Sequence, residues 1–151
     1  MRRAMAGAAL AILMVALLGA RPRAVAAQAP GDSVAATIVA LERAAMDRSD
    51  DADGGEAFLQ LSAEDVVYMD PTLAQPIHGL PALTAYYRSF PKRPPQPTHG
   101  RFANVQVQVA GEVAVLTYNY LSVRNWNVTE VYRRTPAGWR IFHTHFSYLK
   151  P

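Results

Sequence analysis

Hydrophobic and polar positions change their period part-way along this chain. Val34, Ile38, Leu41 and Ala45 recur at helical spacing, and Asp32 or Ser33 stands where a helix cap belongs. The run Ser49-Asp50-Asp51-Ala52-Asp53-Gly54-Gly55 breaks that helix. It reads as a solvated turn rather than a calcium loop, because no glutamate closes it at the required position. Glu56 to Leu61 reads as a short second helix, Val66 to Asp70 as a strand, and 71–76 as an irregular excursion. A third helix follows Gly79, with Pro81 in its first turn and Leu83, Tyr86, Tyr87 and Phe90 along it. After a stiff, proline-rich connection over 91–97, the period becomes two. Phe102 to Val109 and Val113 to Arg124 alternate about Ala110-Gly111-Glu112. Asn127 to Arg134 and Trp139 to Tyr148 form a second hairpin about Pro136-Ala137-Gly138. Helices first and antiparallel strands afterwards predict an α+β fold. We expect a cone-shaped, curved antiparallel sheet with about three N-terminal helices packed on its concave face.

The start of the chain changes the electrostatic picture. Arg2 and Arg3 precede an uncharged, mostly apolar run from Ala4 to Ala20, and Ala24-Val25-Ala26-Ala27 supplies the small residues of a cleavage site. Residues 1–27 are therefore expected to be a signal peptide, 28–31 a linker and 32–151 a single domain. The expectation is export to a bacterial periplasm or the extracellular space, with no stable membrane anchor after cleavage. The whole chain has 15 basic and 12 acidic side chains, but four of the arginines lie in this leader. The remaining 11 basic groups face 12 acidic ones, a net charge of −1. No basic patch argues for nucleic acid. There is no cysteine, so no disulfide holds the domain and its core alone must do so.

Two stretches carry candidate chemistry: Asp70-Pro71 through Tyr86-Tyr87, and Glu130 through Ser147. Each brings an acid to what the pattern predicts is an apolar pocket, where a carboxyl either moves protons or anchors a ligand. Alternation puts Val66, Tyr68 and Asp70 on one strand face, and Val128, Glu130 and Tyr132 on another. Plainer roles stand beside these. Asp70 is suited to accept hydrogen bonds from the turn after Pro71, and Glu130 to pair with Arg124 or Arg140. His143 and His145 form an H-x-H pair, but zinc needs further ligands; His78 and His99 lie on remote loops. No metal or other cofactor is expected. Tyr118 and Tyr120 share a face with Leu116 and suit core or interface packing. The sequon Asn127-Val128-Thr129 falls mid-strand and reads as incidental.

The order of elements resembles the SnoaL-like, ketosteroid-isomerase-like (nuclear-transport-factor-like) superfamily over roughly Ser33 to Leu149. Glu56 to Arg88 is similar to the ketosteroid isomerase segment between its second and third helices. That resemblance implies Asp70, of the Asp-Pro dipeptide, as general base and Tyr86 and Tyr87 as pocket walls. Glu130 to Ser147 resembles the association domain of calcium/calmodulin-dependent kinase: an aromatic two positions on, a basic pair, G-W, then I-x-H-x-H-x-S. At the position of Glu130 that domain holds a pocket arginine, and ketosteroid isomerase a protonated Asp that donates to the oxyanion. The isomerase's main oxyanion donor, a Tyr on the first helix, has no counterpart in Ala44-Ala45-Met46-Asp47. Loss of one such donor typically costs about 10²–10³ in rate.

The expectation is thus an exported domain that binds a small apolar or aromatic molecule in its cone. Candidate catalytic residues are Asp70 and Glu130; candidate ligand-binding residues are Tyr68, Tyr87, Val128, Tyr132, Phe142, Thr144, Phe146 and Tyr148. A homodimer is expected through an outer sheet face carrying Trp139, Ile141, His143 and His145. Two alternatives stand: a ketosteroid-isomerase-like enzyme with Asp70 as base, and an oligomerising association module.

Overall fold

A computed structural model of the protein describes residues 30–51, 53, 55–91, 94–96 and 98–150. The expected leader and most of the linker lie outside the described residues. Helix α1 (Pro30–Asp50) buries Ile38, Glu42, Ala45 and Met46, a stripe at spacings of four, three and one. At the start of α2 (Glu56–Leu61), the Asp53 carboxylate accepts the backbone N–H groups of Gly55 (2.8 Å) and Ala57 (3.0 Å). Gly55 adopts φ 84°, a left-handed conformation that favours glycine. The chain then enters β1 (Ser62–Met69), a two-residue strand β2 (Ile77–His78) and α3 (Leu80–Arg88), whose Pro81 occupies the first turn.

Four long strands follow: β3 (Arg101–Ala110), β4 (Val113–Leu121), β5 (Trp126–Thr135) and β6 (Gly138–Tyr148). They join β1 and β2 in one curved, unclosed sheet of order β2-β1-β6-β5-β4-β3. The α+β cone with helices on one sheet face is the architecture the patterning predicts. One pairing refines it: β1 runs parallel to β6, with Tyr68 opposite Thr144, while the other pairs are antiparallel. The inner face is built from alternate positions, Leu116 and Tyr118 of β4, Val128, Glu130 and Tyr132 of β5, and Val66 and Tyr68 of β1.

A bulge in β6 overturns part of the expected facing. Tyr132 pairs with Ile141 but Val131 pairs with His143, so Phe142 is an extra residue and the alternation restarts after it. Trp139 and Ile141 therefore point inward with Thr144 and are 5% and 1% exposed. They are not part of the outer surface assigned to them above. Phe142 points outward instead, with the Arg133 guanidinium 5.3 Å from its ring centroid, and so does not line the cone. His143 and His145 do lie on the outer face, opposite Val131 and Thr129.

Candidate functional site

The deepest polar group in the molecule is one the patterning argument passed over. Glu42 lies one helical turn after Ile38 on the apolar stripe of α1 and is fully buried. Its Oε1 accepts the Tyr118 hydroxyl (2.6 Å), and its Oε2 accepts the Tyr132 hydroxyl in a short hydrogen bond. The i+4 spacing from Ile38 was the available signal, because it puts an acid on the buried face. Tyr118 and Tyr132 are thus core residues with a polar task, and Tyr132 is spent on Glu42 rather than on an open pocket wall.

Glu130 is buried on the same inner face, and its Oε2 accepts the Thr144 hydroxyl at 2.7 Å. Its Oε1 has no hydrogen-bond partner. Neither expected arginine reaches it. Arg124 lies over the rings of Trp126 and Tyr148, and Arg140 donates to the Trp139 carbonyl. Loss of hydration pushes the Glu130 carboxyl well above its ordinary value, and the nearby charge of Glu42 adds to this. Glu42 is also raised by burial, against the pull of its two tyrosine donors. Two phenols stabilise the Glu42 carboxylate and a single hydroxyl bonds Glu130, so the upward push is opposed less at Glu130. A proton on Glu130 would make its unpartnered Oε1 an O–H donor.

A second cluster occupies the end of the sheet where β1 and β6 finish and β5 begins. Asp70 follows β1 directly. Its Oδ1 accepts the Thr72 backbone N–H (2.7 Å) and the Thr72 hydroxyl (2.6 Å). Its Oδ2 accepts the hydroxyls of Tyr86 (2.7 Å) and Tyr68 (3.1 Å). Partial burial pushes this carboxyl upward, but the bonds from Thr72, Tyr86 and Tyr68 outweigh it, leaving Asp70 below the usual carboxylate range. Four donors fill the four lone-pair positions of a carboxylate. The turn role and the pocket role expected of Asp70 thus meet at one side chain.

Around Asp70 the aromatic side chains form a continuous wall. Tyr68 packs against Tyr86 (5.8 Å between centroids), Tyr87 (5.7 Å) and Phe146 (6.1 Å). Phe146 meets Trp126 edge-on at 5.9 Å, Trp126 lies 5.0 Å from Tyr148, and Tyr86 meets Phe90 at 4.9 Å. Of the expected ligand-binding residues, Tyr68, Tyr87, Phe146 and Tyr148 come together in this wall. Val128, Tyr132 and Thr144 sit deeper, buried beside Glu130 or Glu42. Trp126 and Phe90 were missed, because each stands at the end of its element, where periodicity gives no facing.

Residues 34–151, almost the entire described domain, match the family model of the SnoaL-like domain. The chain belongs to that family. Among solved structures, this SnoaL-like domain is 42% identical to a candidate ketosteroid isomerase from Parabacteroides distasonis, with a TM-score of 0.66 over 76% of this chain and 86% of that one. It also superposes on a nuclear-transport-factor-2-like protein of unknown function from Pseudomonas putida, at 22% identity and a TM-score of 0.67. That match covers 80% of this chain and 98% of the other. A calcium/calmodulin-dependent kinase II hub homology domain from Chlamydomonas reinhardtii shares the fold at 22% identity and a TM-score of 0.59, covering 78% of this chain and 98% of that one. No curated protein matches the chain significantly.

Proposed function

We propose that this SnoaL-like domain is an exported, dimeric binding protein that takes up a small apolar or aromatic molecule at the open end of its sheet. The aromatic wall around Tyr68 carries this reading. It is contiguous over seven rings, and its outermost members, Phe90 and Tyr148, are 44% and 45% exposed. Clustered aromatics that reach solvent mark a binding surface more than a packed core. The state of Asp70 favours binding over proton abstraction. A general base needs a free lone pair and a pKa near the working pH, whereas this carboxylate is saturated with donors and lowered. The dimer would form through the outer face around Val131, Phe142, His143 and His145, without Trp139 and Ile141.

Native mass spectrometry of protein purified from its own compartment tests the reading. We expect a mature mass beginning near residue 28, in a dimer, with a small molecule retained by wild type and lost from Tyr87→Ala. Retention unchanged in that variant would remove the wall as the site. His145→Asp should halve the assembly mass in sedimentation, and an unchanged mass would remove the outer face.

A further inference from the structure

We propose that the ligand of the aromatic wall is an organic anion, an apolar or aromatic body bearing a carboxylate or sulfonate that Arg124 receives. This rests on the wall being the binding site, as proposed above, and names the class of molecule it takes. Asp70 and Arg124 are charged side chains in direct contact with rings of the wall. Asp70 makes its contact through Tyr68 and Tyr86, and all its acceptor positions are filled. A cationic ligand would have to break those bonds to be paired.

Arg124 is the opposite case. It lies in the turn between β4 and β5, with its guanidinium carbon 5.9 Å from the Trp126 centroid and 5.6 Å from that of Tyr148. The two rings hold it over the outer end of the wall. No carboxylate and no hydrogen-bond acceptor engages its guanidinium among the described residues. By contrast, Arg88 is paired with Glu56, Arg133 with Asp65 and Arg134 with Glu112. The planar fork of an arginine fits a carboxylate or sulfonate with two parallel N–H donors. The free charge at this end is therefore positive, and it is seated on the surface that would hold an aromatic body.

Two fluorescent probes of one skeleton separate the charge from the body: 8-anilinonaphthalene-1-sulfonate, an anion, and N-phenyl-1-naphthylamine, which is neutral. Titration of the full mature protein in low salt should show the anion bound about tenfold more tightly, as expected of a charge-assisted hydrogen bond. Arg124→Gln should remove about that factor for the anion and change the neutral probe less than about twofold. The preference should shrink as the Debye length falls to about 8 Å at physiological ionic strength. Equal affinities for the two probes, or an equal loss of both in Arg124→Gln, would overturn the anion while leaving the wall in place. If neither probe responds to Tyr87→Ala, the wall itself fails and this inference with it. Loss of the anion in Arg43→Gln instead would place it at the groove between α1 and β3, which Arg43 lines with Val105 and Val107. Arg124-dependent sedimentation with phosphatidylglycerol vesicles, without binding of the free anion, would assign the residue to a lipid surface and also overturn the proposal.

Discussion

Glu130→Gln isolates the cost of hiding a second acid beside Glu42. An exposed glutamate has an ordinary value of 4.5, whereas burial and the charge of Glu42 hold the Glu130 carboxyl well above it. Each unit of that upward displacement costs the folded state about 1.4 kcal/mol once the pH has passed the folded value. The sign follows from proton counts. The folded chain binds more protons than the unfolded one above pH 4.5, so its stability falls as pH rises from there. A glutamine does not titrate. It keeps an acceptor for the Thr144 hydroxyl, but adds a buried amide that needs partners, at about 1–3 kcal/mol. These two costs oppose each other at neutral pH, and the informative quantity is the slope. Urea unfolding from pH 4.5 to 8 should show wild-type stability declining relative to Glu130→Gln, at a slope of up to about 1.4 kcal/mol per pH unit. Parallel curves would refute the reasoning, since they would mean that Glu130 ionises freely or holds a cation. Carboxyl NMR of Glu42→Gln supplies a cross-check. Removing the neighbouring charge should lower the titration midpoint of Glu130, because that charge is one of the two causes that raise it.

Two further outcomes follow from local geometry. At Gly100 an added Cβ would overlap the ring of Tyr120, whose hydroxyl makes a short bond to Asp50 and accepts the Gly100 N–H at 3.1 Å. Gly100→Ala should therefore cost about 1–3 kcal/mol in thermal or urea unfolding, and wild-type stability in that variant would show that Tyr120 moves freely. Asp70→Asn should cost about 1 kcal/mol near neutral pH, since the lowered carboxylate is held by four donors. That contribution is present above the ordinary value of 3.8 and is lost as pH falls through the lower folded value, so the two proteins should converge in acid.

Much of the fold was legible because its buried positions repeat. Alternation alone placed Val128, Glu130 and Tyr132 on one inner face, and helical spacing placed Ile38 and Ala45 on another. What escaped the patterning has specific causes. A bulge inserts one residue without changing composition, so continuous alternation put Phe142 inside and Trp139 and Ile141 outside. The correct facing needs the pairing with β5. The parallel contact between β1 and β6 joins segments more than seventy residues apart, and no local signal reports it. Glu42 was visible as an acid on the helix stripe. Its partners Tyr118 and Tyr132 come from two other strands, so only the assembled core explains it. The Asp70 cluster was partly legible: the Asp-Pro turn predicts the Thr72 bonds, but the Tyr68 and Tyr86 hydroxyls arrive from a strand and from α3.

The position of β1 in the sheet has a kinetic consequence. Its neighbour on the large-sheet side is β6, whose pairing positions with β1 run from Ile141 to His145. As the polypeptide is made, β3 to β5 can zip as hairpins, but β1, with only the two-residue β2 beside it, has no place in the large sheet until β6 emerges. Such non-local closure raises contact order and slows folding. A truncation before His143 should detach β1, β2 and α3 from the large sheet, while α1 keeps its packing on β3 and β4. The incomplete chain would expose the β1 edge that β6 covers, and would be prone to aggregation.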